Sequence, residues 1–188
     1  RTLAAAARVH AAPLAPEVAP HGPVALTPIQ RRFFDEPMPA RHHYNQALLL
    51  RPKSALDAGL VQRTLQALIE HHDALRLRFT GEQQSYAPSA HWPLAVLSAQ
   101  PRELEQIGDA LQRTLDLEHG PLQRAALITL ADSSQRLLLI IHHLVVDGVS
   151  WRILLEDIEI AYRQLEAGEP IALAPRTTSY QRWSELLT

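Results

Sequence analysis

Five consecutive apolar residues, LLLII at 137–141, run directly into HHLVVDGVSWRILLED, which ends at Asp157. A stretch that is apolar at every position has no face to offer to water, so it fits an interior strand covered on both sides. The period then changes. Trp151, Leu154, Ile158, Ala161 and Leu165 share one face of a helix that the pattern places over 149–166, with Gly168 as its stop. A buried strand, a short loop and an amphipathic helix in direct succession require a sheet with helices packed against it.

The rest of the chain supplies those layers. Thr27-Pro28 opens a short helix, TPIQRRFFDE, with Thr as cap and Pro at the first helical position. A helix over 56–72 carries Leu56, Leu60, Val61, Leu65, Leu68 and Ile69 on one face. Another over 101–118 carries Leu104, Ile107, Leu111 and Leu115 and is stopped by His119-Gly120-Pro121. A last helix covers 179–187. Strands are expected at 44–51, 75–80, 83–87, 122–130 and 136–142. This alternation gives an α/β (α+β) class with a mixed sheet flanked by helices.

Residues 1–25 differ. A short Ala-rich helix at 2–9 is followed by Pro13, Pro16, Pro20 and Pro23, which make a semi-rigid linker. The globular part is expected over 26–188. Net charge is −2, which gives no broad attraction to nucleic acid or an anionic membrane. No apolar run reaches the ~18–20 residues of a membrane span. The N-terminus, broken by Arg, His and Pro, does not read as a signal peptide. The chain has no cysteine, so it has no disulfide framework and no thiol nucleophile, and a cytoplasmic setting is expected.

Chemistry concentrates at the strand end. Side chains alternate across a strand, so His142 and His143 point to opposite faces, and one can enter a cleft while the other packs. Imidazole can take or give a proton near neutrality. Asp147 sits where it can cap the helix, pair with a cation or hydrogen-bond the loop, and Gly148 permits a tight turn. A His-His pair at a strand end is by itself more often structural than catalytic. No HxxxH or HExxH spacing occurs, so no metal site is expected. The pairs His42-His43 and His71-His72 lack a loop with Asp and Gly and read as surface or packing residues.

His142-His143-Leu-Val-Val-Asp147-Gly148 resembles the HHxxxDG signature of the condensation-type superfamily of nonribosomal peptide synthetases, which shares its fold with chloramphenicol acetyltransferase. The continuation from Val149 to Leu154 resembles the HHxxxDGVSWRIL form of the epimerization domains in that superfamily. Further segments lie in the same order. Pro28-Ile29-Gln30-Arg31-Arg32-Phe33 resembles PIQxWF, with Arg32 where tryptophan is usual. His43-Tyr44-Asn45-Gln46 resembles HFNQ. His72-Asp73-Ala74-Leu75-Arg76 with Phe79 resembles HxxLRxxF, and Thr177-Thr178-Ser179-Tyr180 with Trp183 resembles TTSFxxWA. The Ala-rich start resembles the last helix of a carrier domain.

The resemblance implies a chloramphenicol acetyltransferase-like N-terminal lobe. The second lobe and its EGHGRE segment have no counterpart in these residues. The implied activity is that of an amino-acid epimerase, an isomerase that inverts Cα of an aminoacyl or peptidyl thioester. The substrate would be carried on the phosphopantetheine arm of a peptidyl carrier protein, with no cofactor bound by the domain itself. Implied partners are that carrier, the C-terminal lobe and adjacent synthetase domains. The resemblance makes His143 the catalytic residue, as acid/base or as stabiliser of the enolate oxygen, and makes His142 structural. It pairs Asp147 with an arginine, for which Arg76 is the expected partner in a buried ion pair. Ser150, Trp151 and Arg152 fall near the substrate or carrier arm, with Trp151 packed beneath the site. A peptide-bond-forming condensation domain shares HHxxxDG and is the alternative. A binding module without activity of its own is the third reading, for the isolated lobe.

Overall fold

The structure is a computed structural model that describes residues 20–176 and 178–187. The expected helix at 2–9 and most of the Pro-rich linker lie outside the described residues, as does Thr177.

Two sheets organise the described chain. The larger has four strands in the order β2 (Asn45–Leu50), β7 (Gln135–His142), β6 (Gln123–Leu130) and β5 (Leu94–Ala99). The β2/β7 and β6/β7 pairs are antiparallel and the β5/β6 pair is parallel, so the sheet is mixed, as expected. The smaller sheet has the order β1 (Pro23–Val24), β4 (Gln83–Tyr86) and β3 (Leu77–Thr80).

The apolar run at 137–141 explains the layering. Leu137, Leu139 and Ile141 face a large cluster with α2 (Ala58–His71) and α4 (Gly148–Glu166), through Leu65, Leu68, Trp151 and Leu154. Leu138 and Ile140 face the other way, onto α3 (Leu104–Gln112), through Leu104, Ile107 and Leu111. A strand between two partners and two helical layers cannot alternate polar and apolar residues. Each of these side chains contributes about 1.5–3 kcal/mol by leaving water.

Four elements depart from the sequence reading. Pro23–Val24, read as part of the linker, pairs with β4 as strand β1 and buries Val24. Strand β5 was not expected. Its LAVLSA run is short, and Val96 on its outer side stays 60% exposed, which weakens the apolar signal. The stripe over 101–118 begins in a 3-10 turn and its α-helix ends at Gln112, yet Leu115 and Leu117 remain buried in the turn beyond it. Residues Asp73–Arg76 form a 3-10 turn before β3, where a strand from Leu75 was expected.

Helix α1 (Pro28–Asp35) starts as its sequence demands. Thr27 precedes Pro28, and the Gln30 side chain accepts the Thr27 backbone N–H at 3.0 Å. It buries Phe33 and Phe34. The last helix, α5 (Tyr180–Leu187), brings Tyr180 and Trp183 to the same side of the molecule. No helix among the described residues is long and apolar enough to cross a membrane.

Candidate active site

The two histidines leave β7 in opposite environments. His142, the last strand residue, is 0% exposed. Its Nε2–H donates to the Arg41 carbonyl at 2.7 Å, and its Nδ1 accepts the backbone N–H of Leu144 at 3.2 Å. Phe33 and Tyr44 meet the ring edge-on. Burial pushes its pKa down to about 4, against a smaller upward pull from the Arg41 carbonyl. His142 is therefore a neutral ring that ties the strand end to the turn at 41–43.

His143 is half-buried and lines a cavity of about 460 Å³. Its backbone N–H donates to the Tyr44 carbonyl at 2.8 Å, continuing the β2/β7 pairing by one residue. Its Nδ1 lies 2.8 Å from the Val146 carbonyl, and its Nε2 lies 3.2 Å from Gln46 Nε2. Tyr44 stacks on the ring with centroids 5.0 Å apart. The cavity is walled by α1 (Ile29, Phe33), by the loop with Val146 and Asp147, and by Trp183 of α5. Ile29 and Trp183 are 69% and 46% exposed, an apolar mouth beside the His143 ring.

Asp147 caps α4. Its carboxylate accepts the backbone N–H of Ser150 at 2.7 Å and the Ser150 hydroxyl at 2.6 Å. These bonds hold its pKa below the ordinary carboxylate range, against the opposing effect of partial burial. The expected ion pair with Arg76 does not form. Arg76 lies on the turn after α2, donates to the Pro20 carbonyl at 3.2 Å and places its guanidinium 5.2 Å from the Tyr86 ring centre. Asp147 is exposed, and Ser150 already satisfies its carboxylate, so the buried pair is corrected to a helix cap. The buried carboxylate near Arg76 is Asp73, which accepts the Tyr86 hydroxyl and the Tyr180 backbone N–H, each at 2.9 Å.

Gly148 is the first residue of α4 and is not among the glycines with positive φ. An added Cβ would meet nothing within 4 Å. The turn does not need glycine for its backbone. Trp151 is buried, as expected, and donates its indole N–H to Gln46 Oε1 at 2.8 Å. Arg152 is exposed on α4. Of the residues singled out in the sequence, the structure brings His143, Asp147 and Ser150 to one cavity wall, with Trp151 linked to His143 through Gln46. Arg76 stands apart.

The other histidine pairs hold structure together. His42 Nδ1 accepts the Leu117 backbone N–H at 3.0 Å. His72 Nε2 lies 2.8 Å from Asp157 Oδ2, joining the end of α2 to α4. With His71 these form a trio whose ligand atoms lie within 4.8 Å of one another, outside the His143 cavity.

Known proteins share the fold. Residues 21–188 match the family described as Condensation domain. The chain belongs to the condensation domain family. It is 44% identical over 182 residues to chondramide synthase cmdD of Chondromyces crocatus, covering 88% of this chain and 5% of that protein. It is 40% identical over 174 residues to bacitracin synthase 3 of Bacillus licheniformis, covering 87% of this chain and 3% of that one. Among solved structures it resembles the epimerization domain from the third module of tyrocidine synthetase B, with a TM-score of 0.83 and 38% identity over 88% of this chain and 40% of that one. The X-domain from teicoplanin biosynthesis shares the fold, with a TM-score of 0.76 at 22% identity over 87% of this chain and 37% of that one. The chain thus spans less than half of each of these proteins. The condensation-family fold is the chloramphenicol acetyltransferase-like one expected from the sequence.

Proposed function

We propose that this chain supplies the His143 side of the active site of an epimerization domain in a nonribosomal peptide synthetase. The substrate is an aminoacyl or peptidyl thioester on the phosphopantetheine arm of a carrier protein. The thioester acidifies the Cα–H. A base removes that proton from one face, charge passes onto the thioester oxygen as an enolate, and a second group returns a proton to the opposite face. His143 is the group on this side. The second acid/base group comes from the lobe of the domain that lies outside this chain. The carrier protein, that lobe and the adjacent synthetase domains are the partners of this reaction.

The observation that carries the reading is the placement of the His143 ring on the cavity wall while His142 is sealed and neutral. The GVSWRIL continuation and the 38% identity to an epimerization domain favour inversion over peptide-bond formation. In a condensation domain the same imidazole would stand beside an acceptor amine.

The two readings separate in one experiment. The chain, joined to the remainder of its domain, is mixed with a carrier-bound L-aminoacyl thioester in deuterated water. Release of the amino acid and chiral analysis should give the D form with deuterium at Cα. Peptide bond formation with an added acceptor and no deuterium at Cα would assign the condensation reaction instead.

A further inference from the structure

The amide of Gln46 stands between two rings that come from distant parts of the chain. Its Oε1 is 2.8 Å from Trp151 Nε1 and its Nε2 is 3.2 Å from His143 Nε2. An indole N–H can only donate, so the oxygen of the amide must face Trp151. The amide NH2, which can only donate, must then face His143. That leaves one arrangement for the imidazole: Nε2 is unprotonated and accepts. The other side of the ring agrees independently. Nδ1 lies 2.8 Å from the Val146 carbonyl, which can only accept, so Nδ1 carries the proton.

We infer that Gln46, oriented by Trp151, is a positioning residue that sets the tautomer of His143 and keeps a lone pair on Nε2. The donor order runs one way, from the Trp151 indole to the Gln46 amide, to the imidazole, to the Val146 carbonyl. His142 next door has the opposite tautomer, with Nε2–H donating to Arg41 and Nδ1 accepting from Leu144. The resting His143 ring has no N–H left to offer an enolate oxygen, because its single proton is held by Val146. Of the two roles open to His143, this favours the base. A proton taken up at Nε2 would face the amide hydrogens, donor against donor, so Gln46 must turn aside when it arrives. The catalytic meaning of the relay rests on the reading of His143 as the reactive group. The tautomer is a property of the chain without substrate.

Long-range 1H–15N correlation on the chain labelled with 15N-histidine reads it directly, at about pH 7 where imidazole can be neutral or charged. His143 is assigned by the signal that His143→Gln removes. The expected pattern is a protonated Nδ1 and an unprotonated Nε2, opposite to His142. Gln46→Glu replaces the amide NH2 with a second acceptor at nearly constant shape. It should move the His143 Nε2 signal into the protonated range while Nδ1 stays there. Gln46→Leu, which removes both polar atoms, should let part of the His143 population carry its proton at Nε2, so that both ring nitrogen signals move. A wild-type ring protonated at Nε2 overturns the inference, and so does a His143 signal that neither folded variant moves. Because no substrate is present, failure here leaves the epimerase reading standing, and absence of Cα exchange leaves the tautomer standing.

Discussion

The Asp147 carboxylate accepts both the backbone N–H and the hydroxyl of Ser150, and this pair closes the first turn of α4 directly beyond the His143 loop. An aspartate in a histidine motif invites a catalytic or ion-pair assignment. Here it starts a helix.

Removing that cap should cost what caps cost. Asp147→Ala should lower stability by about 0.5–2 kcal/mol, less than the ~3–5 kcal/mol of a broken buried ion pair. Asp147→Asn or Asp147→Ser should recover most of the loss. Urea denaturation of the three variants checks this. The pKa of Asp147 is depressed in the folded chain, so its contribution is present above the ordinary carboxylate value and disappears as pH falls through the folded value.

His142 makes a second pH dependence, of opposite origin. Its folded pKa is lowered from 6.5 to about 4 by burial. Above about 6.5 both states are neutral and the group has no effect. Between about 6.5 and about 4 the unfolded chain takes up a proton that the folded chain refuses, so stability falls with falling pH by up to about 1.4 kcal/mol per unit. His142→Gln, which cannot titrate, should flatten the slope in that window. Stability measured by denaturant at several pH values should show the difference between the two chains.

Gly148 offers a contrast. With no positive φ and an open space around its Cα, Gly148→Ala should leave the fold as stable or up to about 1 kcal/mol more stable. Thermal unfolding checks it. A destabilised Gly148→Ala chain would mean that the first turn of α4 is tighter than its geometry indicates.

These effects also show what the sequence made legible. The LLLII run disclosed a strand between two layers, because continuous apolarity is a direct consequence of double burial. The alternation of side chains disclosed that His142 and His143 must part. Trp151 was readable as a packed residue from its place in the helical stripe. Gln46 stood in the HFNQ-like segment, but its role was not readable, because its bonds reach 97 residues ahead to His143 and 105 to Trp151, and a strand segment does not signal such partners. The supposed Arg76–Asp147 pair came from resemblance, and it yielded to a nearer donor set in Ser150. Strand β5 escaped because an edge strand with one face in water has too few apolar positions to stand out.

The central claim is that the His143 ring takes part in proton transfer at Cα. Its most direct measurement is the rate of deuterium incorporation at Cα of a carrier-bound aminoacyl thioester. It should be run on the complete domain with His143→Gln beside the unaltered protein, with folding of both checked by circular dichroism. The account expects a loss of at least about 100-fold in the variant. Incorporation within a few-fold of the unaltered rate, in a folded His143→Gln protein, would contradict it.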